Sequence, residues 1–231
     1  MVRTIKAPEI RFAELLDCAQ RLFFSRGYDN TTVNDIIREA GLSKGAFYHY
    51  FDSKAALLEA LAVRMARDSM TDLQPVLDDP TLDPISRLNG LFAGSRRLKI
   101  EYAPHIRNTF EVIFRPENIV LFHRMDQAVT AVVTPALAEI LRQGDEQGVF
   151  DAPDPLAFAE MLLQFRLSLG AVMNNALRQA KAGNLDAAAE ALEERLRLYG
   201  LAIDRVLKLP DGTIEMAEKG FARALISVES S

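Results

Sequence analysis

The sequence contains one cysteine, Cys18, no tryptophan and only three histidines in 231 residues. A lone cysteine excludes an intramolecular disulfide and a thiolate metal cage, so the fold must rest on packing, and it suits a reducing cytoplasm. Three histidines leave little material for metal or general-base chemistry. Glu101 and His105 stand at i, i+4 as a lone pair, without the repeated Glu-x-x-His sets that a di-metal bundle uses, and there is no phosphate loop, so no metal or cofactor is expected and the chain reads as no enzyme. The first residues run into Glu9 and Arg11 without the apolar core of an export signal. The most apolar stretches, around 128–140 and 161–173, are broken by Pro135 and Arg166, short of the roughly 20 residues that span a bilayer, so no membrane partner is expected.

Hydrophobic residues make up 49% and charged residues 26%, the balance of an ordinary globular protein with a sizeable core. Net charge is −5, which on its face disfavours a partner as anionic as nucleic acid. Its distribution softens that. Residues 1–67 hold ten Lys/Arg against eight Asp/Glu, and the rest hold seventeen against twenty-four. An acidic body with a slightly basic head weakens indiscriminate DNA binding and leaves a local basic face usable.

Helical periodicity dominates and no alternating strand stands out, so the expected fold is all-α, with nine or ten helices. Phe12, Leu15, Leu16, Ala19, Leu22 and Phe23 form one apolar stripe on a first helix ending at Gly27. Thr32 is placed to cap a short helix from Val33 to about Ala40, with Asp35 completing a capping box, and Gly41 stops it. Ser43 caps a third helix to roughly Tyr50, and Ser53 a fourth from Lys54 through about Met70. Further helices are expected over about 84–102, 104–115, 117–143, 155–182 and 185–206, with Asp83-Pro84 and Asp154-Pro155 as capping starts and a short last helix reaching about residue 228. Residues 75–84 are the most loop-like connection. The boundary is therefore drawn near residue 70, with a DNA-binding domain over 1–70 and an effector-binding and dimerisation domain over 71–231.

Residues 31–58 carry the chemistry. With Val33, Ile36, Ile37, Phe47 and Phe51 turned inward, the surface left to the third helix is narrow at its start, positive, and supplied with donors and an aromatic ring, a shape that can enter a major groove. The Ser43 hydroxyl and the amides near Lys44 can bind a phosphate, as can Thr31 or Thr32. Gly45 and Ala46 add almost no bulk, and Ala46 can meet a thymine methyl. Lys44, Tyr48 and His49 are left to discriminate bases, while Tyr50 and Lys54 are assigned to the phosphate backbone.

This segment resembles the DNA-binding signature of the TetR family of repressors, on Tyr48, Phe51 and Lys54 together with Phe23, Gly27 and Tyr28. The resemblance implies a repressor that binds a near-palindromic double-stranded DNA operator as a homodimer and is released by a small-molecule effector, most naturally an apolar or aromatic one. The alternatives are a ligand-independent DNA-binding protein of the same fold and, more remotely, a helical-bundle enzyme. In the body, Leu185, Ala189, Leu192, Leu196, Tyr199, Ile203 and Val206 make a heptad seam, and Leu162 and Leu169 lie on an apolar neighbour, so Leu162, Leu169, Leu192, Leu196, Tyr199 and Ile203 are assigned to a dimer interface. The effector pocket is assigned to Phe92, Arg96, Tyr102, His105, Phe110, Phe114, Phe122, Met125, Phe165, Met173 and Asn174, aromatic and methionine side chains with a few polar anchors.

Overall fold

The computed structural model describes residues 8–103, 115 and 118–227, without the side chains of residues 166 and 167. Among the described residues the fold is all-α: α1 (Pro8–Arg26), α2 (Val33–Ala40), α3 (Lys44–Tyr50), α4 (Lys54–Leu77), α5 (Pro84–Glu101), α6 (Ile119–Glu146), α7 (Pro155–Lys181), α8 (Leu185–Val206) and α9 (Phe221–Ile226). The helix expected over 104–115 lies outside the described residues. The described residues fall into two compact units, those within 1–65 and 108–128 and those within 66–107 and 129–231.

Local chemistry explains most of the boundaries. The Asp83 carboxylate accepts from Ser86 N at 2.8 Å and that of Asp154 from Ala157 N at 3.0 Å, each satisfying an otherwise orphaned amide beside a first-turn proline. One boundary differs from the sequence expectation. α4 does not stop near Met70 but continues through Pro75 to Leu77. A proline two residues before the end disturbs only the last turn, where packing of Leu73 outweighs the lost hydrogen bond.

In the first unit, Leu15, Leu16, Ala19, Leu22 and Phe23 of α1 meet Ile36, Phe47, Phe51 and the Leu57, Leu58, Leu61 face of α4, with Leu121 joining from α6. Phe47 is fully buried, worth about 2–3 kcal/mol of transfer free energy, and fixes which face of α3 turns outward. Phe122 and Met125 pack on this same core. They are therefore scaffold of the first unit, and their assignment to an effector pocket is corrected.

The second unit is built on α5, the C-terminal part of α6, α7 and α8. α7 satisfies the length and apolarity of a membrane-crossing helix despite Arg166. Leu162, Met173, Ala176 and Leu177 are nevertheless buried where it packs along α8, as in the core helix of a helical domain. The heptad seam finds its partner within the chain as well. Leu162, Leu192, Leu196 and Ile203 are at most 5% exposed in the single chain, so they cannot be the contact face of a dimer. A heptad specifies an apolar stripe, not what covers it. What α7 and α8 leave outside is a different set: Leu156, Met161 and Leu198 are exposed, while Phe165 of α7 stacks on Tyr199 of α8 at 5.4 Å.

The remaining pocket candidates divide. Phe92, Arg96 and Met173 line a small cavity of about 30 Å³, together with Leu169, Leu192 and Leu196 from the supposed interface. Tyr102 ends α5, and neither it, Phe165 nor Asn174 lines that cavity. His105, Phe110 and Phe114 lie outside the described residues.

Candidate nucleic-acid interface

α2 and α3 are joined by a turn whose geometry follows from one residue. Gly41 adopts φ +63°, the left-handed conformation that side chains disfavour, and this lets Gly41 N donate to Arg38 O and Leu42 N to Ile37 O, closing the end of α2. Two residues later Ser43 is extended and its hydroxyl accepts from Ala46 N at 3.2 Å, opening α3. Helix, glycine turn and capped helix therefore follow within a few residues. α3 is anchored from below by Phe47 and Phe51, with Phe51 stacked on Phe12 at 5.0 Å. Its other side is open: Ser43, Lys44, Gly45, Tyr48 and His49 are exposed, and Ala46 and Tyr50 half-buried. A Cβ on Gly45 would meet nothing within 4 Å, so the start of α3 presents almost bare backbone. The Lys44 ammonium lies 5.9 Å from the Tyr48 ring centre, at the outer limit of a cation–π contact, and Tyr48 itself is 45% exposed. Such a surface offers a cation, a phenol, an imidazole and a free helix start on one narrow ridge.

The two capping hydroxyls are not equivalent. Thr32 accepts from Asp35 N at 3.1 Å and donates its own proton to Asp35 Oδ2 at 2.6 Å, while Asp35 also accepts from Thr32 N at 3.0 Å. These bonds, the hydroxyl's first, hold the Asp35 carboxyl below the usual aspartate range, with Arg38 adding a smaller attraction. The Thr32 proton is thus committed. The Ser43 hydroxyl is used only as an acceptor among the described residues, so its proton is available for a phosphate oxygen.

Two predicted contacts are corrected. Thr31 is fully buried, and its hydroxyl donates inward to Gly27 O at 2.8 Å, with Leu22 O at 3.3 Å. It pins the loop before α2 to the end of α1 and has no face for a phosphate. Lys54 is likewise occupied. Its ammonium donates to Tyr28 O at 2.7 Å and Thr31 O at 2.9 Å, 4.1 Å from the Tyr28 ring centre. Burial pushes the Lys54 ammonium below, and the Tyr28 phenol above, its ordinary pKa, with Asp29 raising both. The lysine joins the start of α4 to the loop before α2 instead of reaching the duplex backbone. One basic residue escaped the sequence reading: Arg38, in the last turn of α2, is 75% exposed in its side chain while paired with Asp35. Its charge is the signal in the sequence, against a helix whose pattern is dominated by the apolar Val33, Ile36 and Ile37.

Residues 15–61 match the family model described as bacterial regulatory proteins, tetR family. Over 96 residues the chain is 38% identical to the HTH-type transcriptional repressor KstR2 of Mycolicibacterium smegmatis, covering 40% of this chain and 44% of that protein, so it spans less than half the length of that relative. Similarity to the probable HTH-type transcriptional regulator ArpR of Pseudomonas putida is lower and longer, 29% over 216 residues, covering 91% and 87% of the two chains. Among solved structures, Thermus thermophilus FadR, a TetR-family repressor crystallised with lauroyl-CoA, superposes with a TM-score of 0.58 at 22% identity, over 81% of this chain and 92% of that one. With the capped α2–Gly41–α3 unit and its outward ridge in place, residues 15–61 are similar to the DNA-binding segment of bacterial regulatory proteins of the tetR family.

Proposed function

We propose that this protein is a ligand-responsive transcriptional repressor that binds a near-palindromic DNA operator as a homodimer in the cytoplasm and catalyses no reaction. The observation that carries the reading is the ridge of α3, in which Phe47 is fixed in the core while Ser43, Lys44, Tyr48 and His49 stand outward. Ser43 and the first amides of α3 hold a phosphate, and Lys44, Tyr48 and His49 read base edges. Dimerisation supplies a second ridge, since half-sites lie about 34 Å apart or a multiple of it. The exposed Leu156, Met161 and Leu198 on α7 and α8 supply the apolar face for pairing. An effector bound in the second unit favours a conformation that fits the operator poorly, and a coupling of roughly 1–3 kcal/mol lowers affinity about 5- to 150-fold.

Selection of bound duplexes from a random pool tests the reading. Lys44→Ala and Tyr48→Ala relax base preference by roughly 1–3 kcal/mol at the contacted positions. Absence of any preferred sequence at moderate salt overturns it.

The small cavity of about 30 Å³ favours a second reading, an effector-independent DNA-binding protein, because that volume admits a water or two and no ligand. DNA affinity that no candidate ligand alters would select it.

A further inference from the structure

The C-terminal strap that follows α8 is held in two unequal halves. Residues 209–215 are anchored from both sides. The fully buried Asp204 carboxylate accepts from Gly212 N at 2.7 Å and Ile214 N at 2.9 Å, and the Asn89 amide of α5 donates to Thr213 O and accepts from Glu215 N, each at 2.9 Å. Residues 216–226 are tied by exchangeable partners: Gly220 N donates to the Glu193 carboxylate at 2.7 Å, Arg223 pairs with Asp186, and Glu218 pairs with Arg96 at 2.7 Å. From this outer half, Met216, Phe221 and Leu225 form part of the wall of the small cavity lined by Arg96.

Arg96 is the unusual member. Its side chain is 8% exposed against 69% for Glu218, so the cation lies inside and its counter-charge is supplied from solvent. Nη1 donates to Glu215 O and Nη2 to Glu218, but Nε is buried with no acceptor among the described residues. Glu218 therefore uses one arm of a guanidinium edge that can serve two. A carboxylate seated squarely on the Nε–Nη2 edge takes both, which is the geometry arginine favours. Apart from Ser95 and Lys99, the rest of the lining, including Phe92, Leu169, Met173 and Leu192, is apolar.

We propose that Arg96 is the anchor for an apolar carboxylic acid, whose carboxylate replaces Glu218 while its hydrocarbon chain displaces Met216, Phe221 and Leu225 from the cavity wall. This rests on the effector-responsive reading above and names the effector's chemical class. The exchange conserves charge, because one carboxylate leaves the arginine as another arrives. It also accounts for the small cavity: the strap fills the space that the ligand takes, and the firmly anchored 209–215 half keeps the displaced part tethered.

Calorimetric titration of the full-length protein with decanoate and with decanol tests the proposal, with hydrogen exchange of residues 216–226 followed in parallel. Decanoate is expected to bind at least about tenfold more tightly than decanol and to raise exchange across the outer strap. Arg96→Met abolishes the preference for the acid. Lys99→Met, at a second cation lining the cavity, leaves it intact. Glu218→Gln, which preserves shape at an exposed site, tightens decanoate about threefold and loosens residues 216–226 without ligand; this variant decides the matter if Arg96→Met fails to fold. Equal binding of acid and alcohol, no binding of either, or loss of preference in Lys99→Met in place of Arg96→Met overturns the proposal. DNA selection on the same preparations keeps the two readings apart. A protein that prefers a DNA sequence and ignores decanoate loses only the anchor, and one without DNA preference loses the regulator reading.

Discussion

The Lys54 ammonium lies 2.7 Å from the Tyr28 carbonyl oxygen and 4.1 Å from the centre of the same residue's ring, so one cation satisfies a loop carbonyl and caps an aromatic face. With the second bond to Thr31 O, it closes the loop between α1 and α2 onto the start of α4. Charge-assisted bonds of this kind contribute about 1.5–3 kcal/mol each before exposure reduces them. Lys54→Met is expected to cost about 1–2 kcal/mol of stability, read as a fall in Tm of several degrees. Its DNA affinity at a temperature where the head remains folded should show an unchanged salt slope; a slope lowered by about one would restore Lys54 as a phosphate contact.

Acid sensitivity follows from the capping box. The Asp35 carboxyl titrates below its ordinary value of 3.8 because Thr32 donates to the charged form. A depressed folded-state pKa stabilises the head above the unfolded value and loses that contribution as pH falls through the folded one. Asp35→Asn should therefore be less stable than the natural protein at neutral pH, and the two denaturation curves should converge as pH drops below about 4. A difference that persists unchanged into strong acid would remove the carboxylate from the account.

Burial separates the two kinds of leucine on α8. Leu192 is 1% exposed and Leu198 is 42% exposed. Leu192→Ala should cost about 2–5 kcal/mol by leaving a void, without altering the mass of the assembled particle. Leu198→Glu should leave thermal stability of the isolated chain nearly intact and halve the particle mass in light scattering. A dimer that survives Leu198→Glu together with Met161→Glu places the contact face elsewhere.

Gly200 faces the strap's backbone, and a Cβ there would lie 2.5 Å from Ile214 O. Gly200→Ala is expected to destabilise by about 1–3 kcal/mol and to raise hydrogen exchange at residues 212–215. A Cβ on Gly94 would instead overlap Cδ2 of Leu73, a side chain that is itself packed in the core, so Gly94→Ala should also destabilise through overpacking.

Much of the head was legible because its determinants are local. Thr32 with Asp35, Gly41 and Ser43 each act within three or four residues, and the three bounds they imply for α2 and α3 are the ones observed. Asp83-Pro84 and Asp154-Pro155 are readable for the same reason. What the pattern missed is bonding across the chain. Thr31 and Lys54 look like phosphate ligands until carbonyls of residues 22, 27, 28 and 31 are brought beside them. The strap is a stronger case: Asn89 meets residues 124 and 126 positions away and Arg96 one 122 away, and no periodicity records such pairings. The seam through Leu192 and Leu196 erred in another way, because an apolar stripe is identical whether its cover comes from the same chain or from a second one.

Gly200 is the only glycine in α8, and the carbonyl of Ile214 uses the notch it leaves. A shift of the strap by one helical turn would bring that carbonyl over Leu196 or Asp204, where a side chain bars the approach. Translation along the helix is thus closed to it, and in the proposed exchange the outer residues peel away and reseat in the same register. On that proposal a segment confined in this manner acts as a latch with two positions, not as a continuously adjustable clamp.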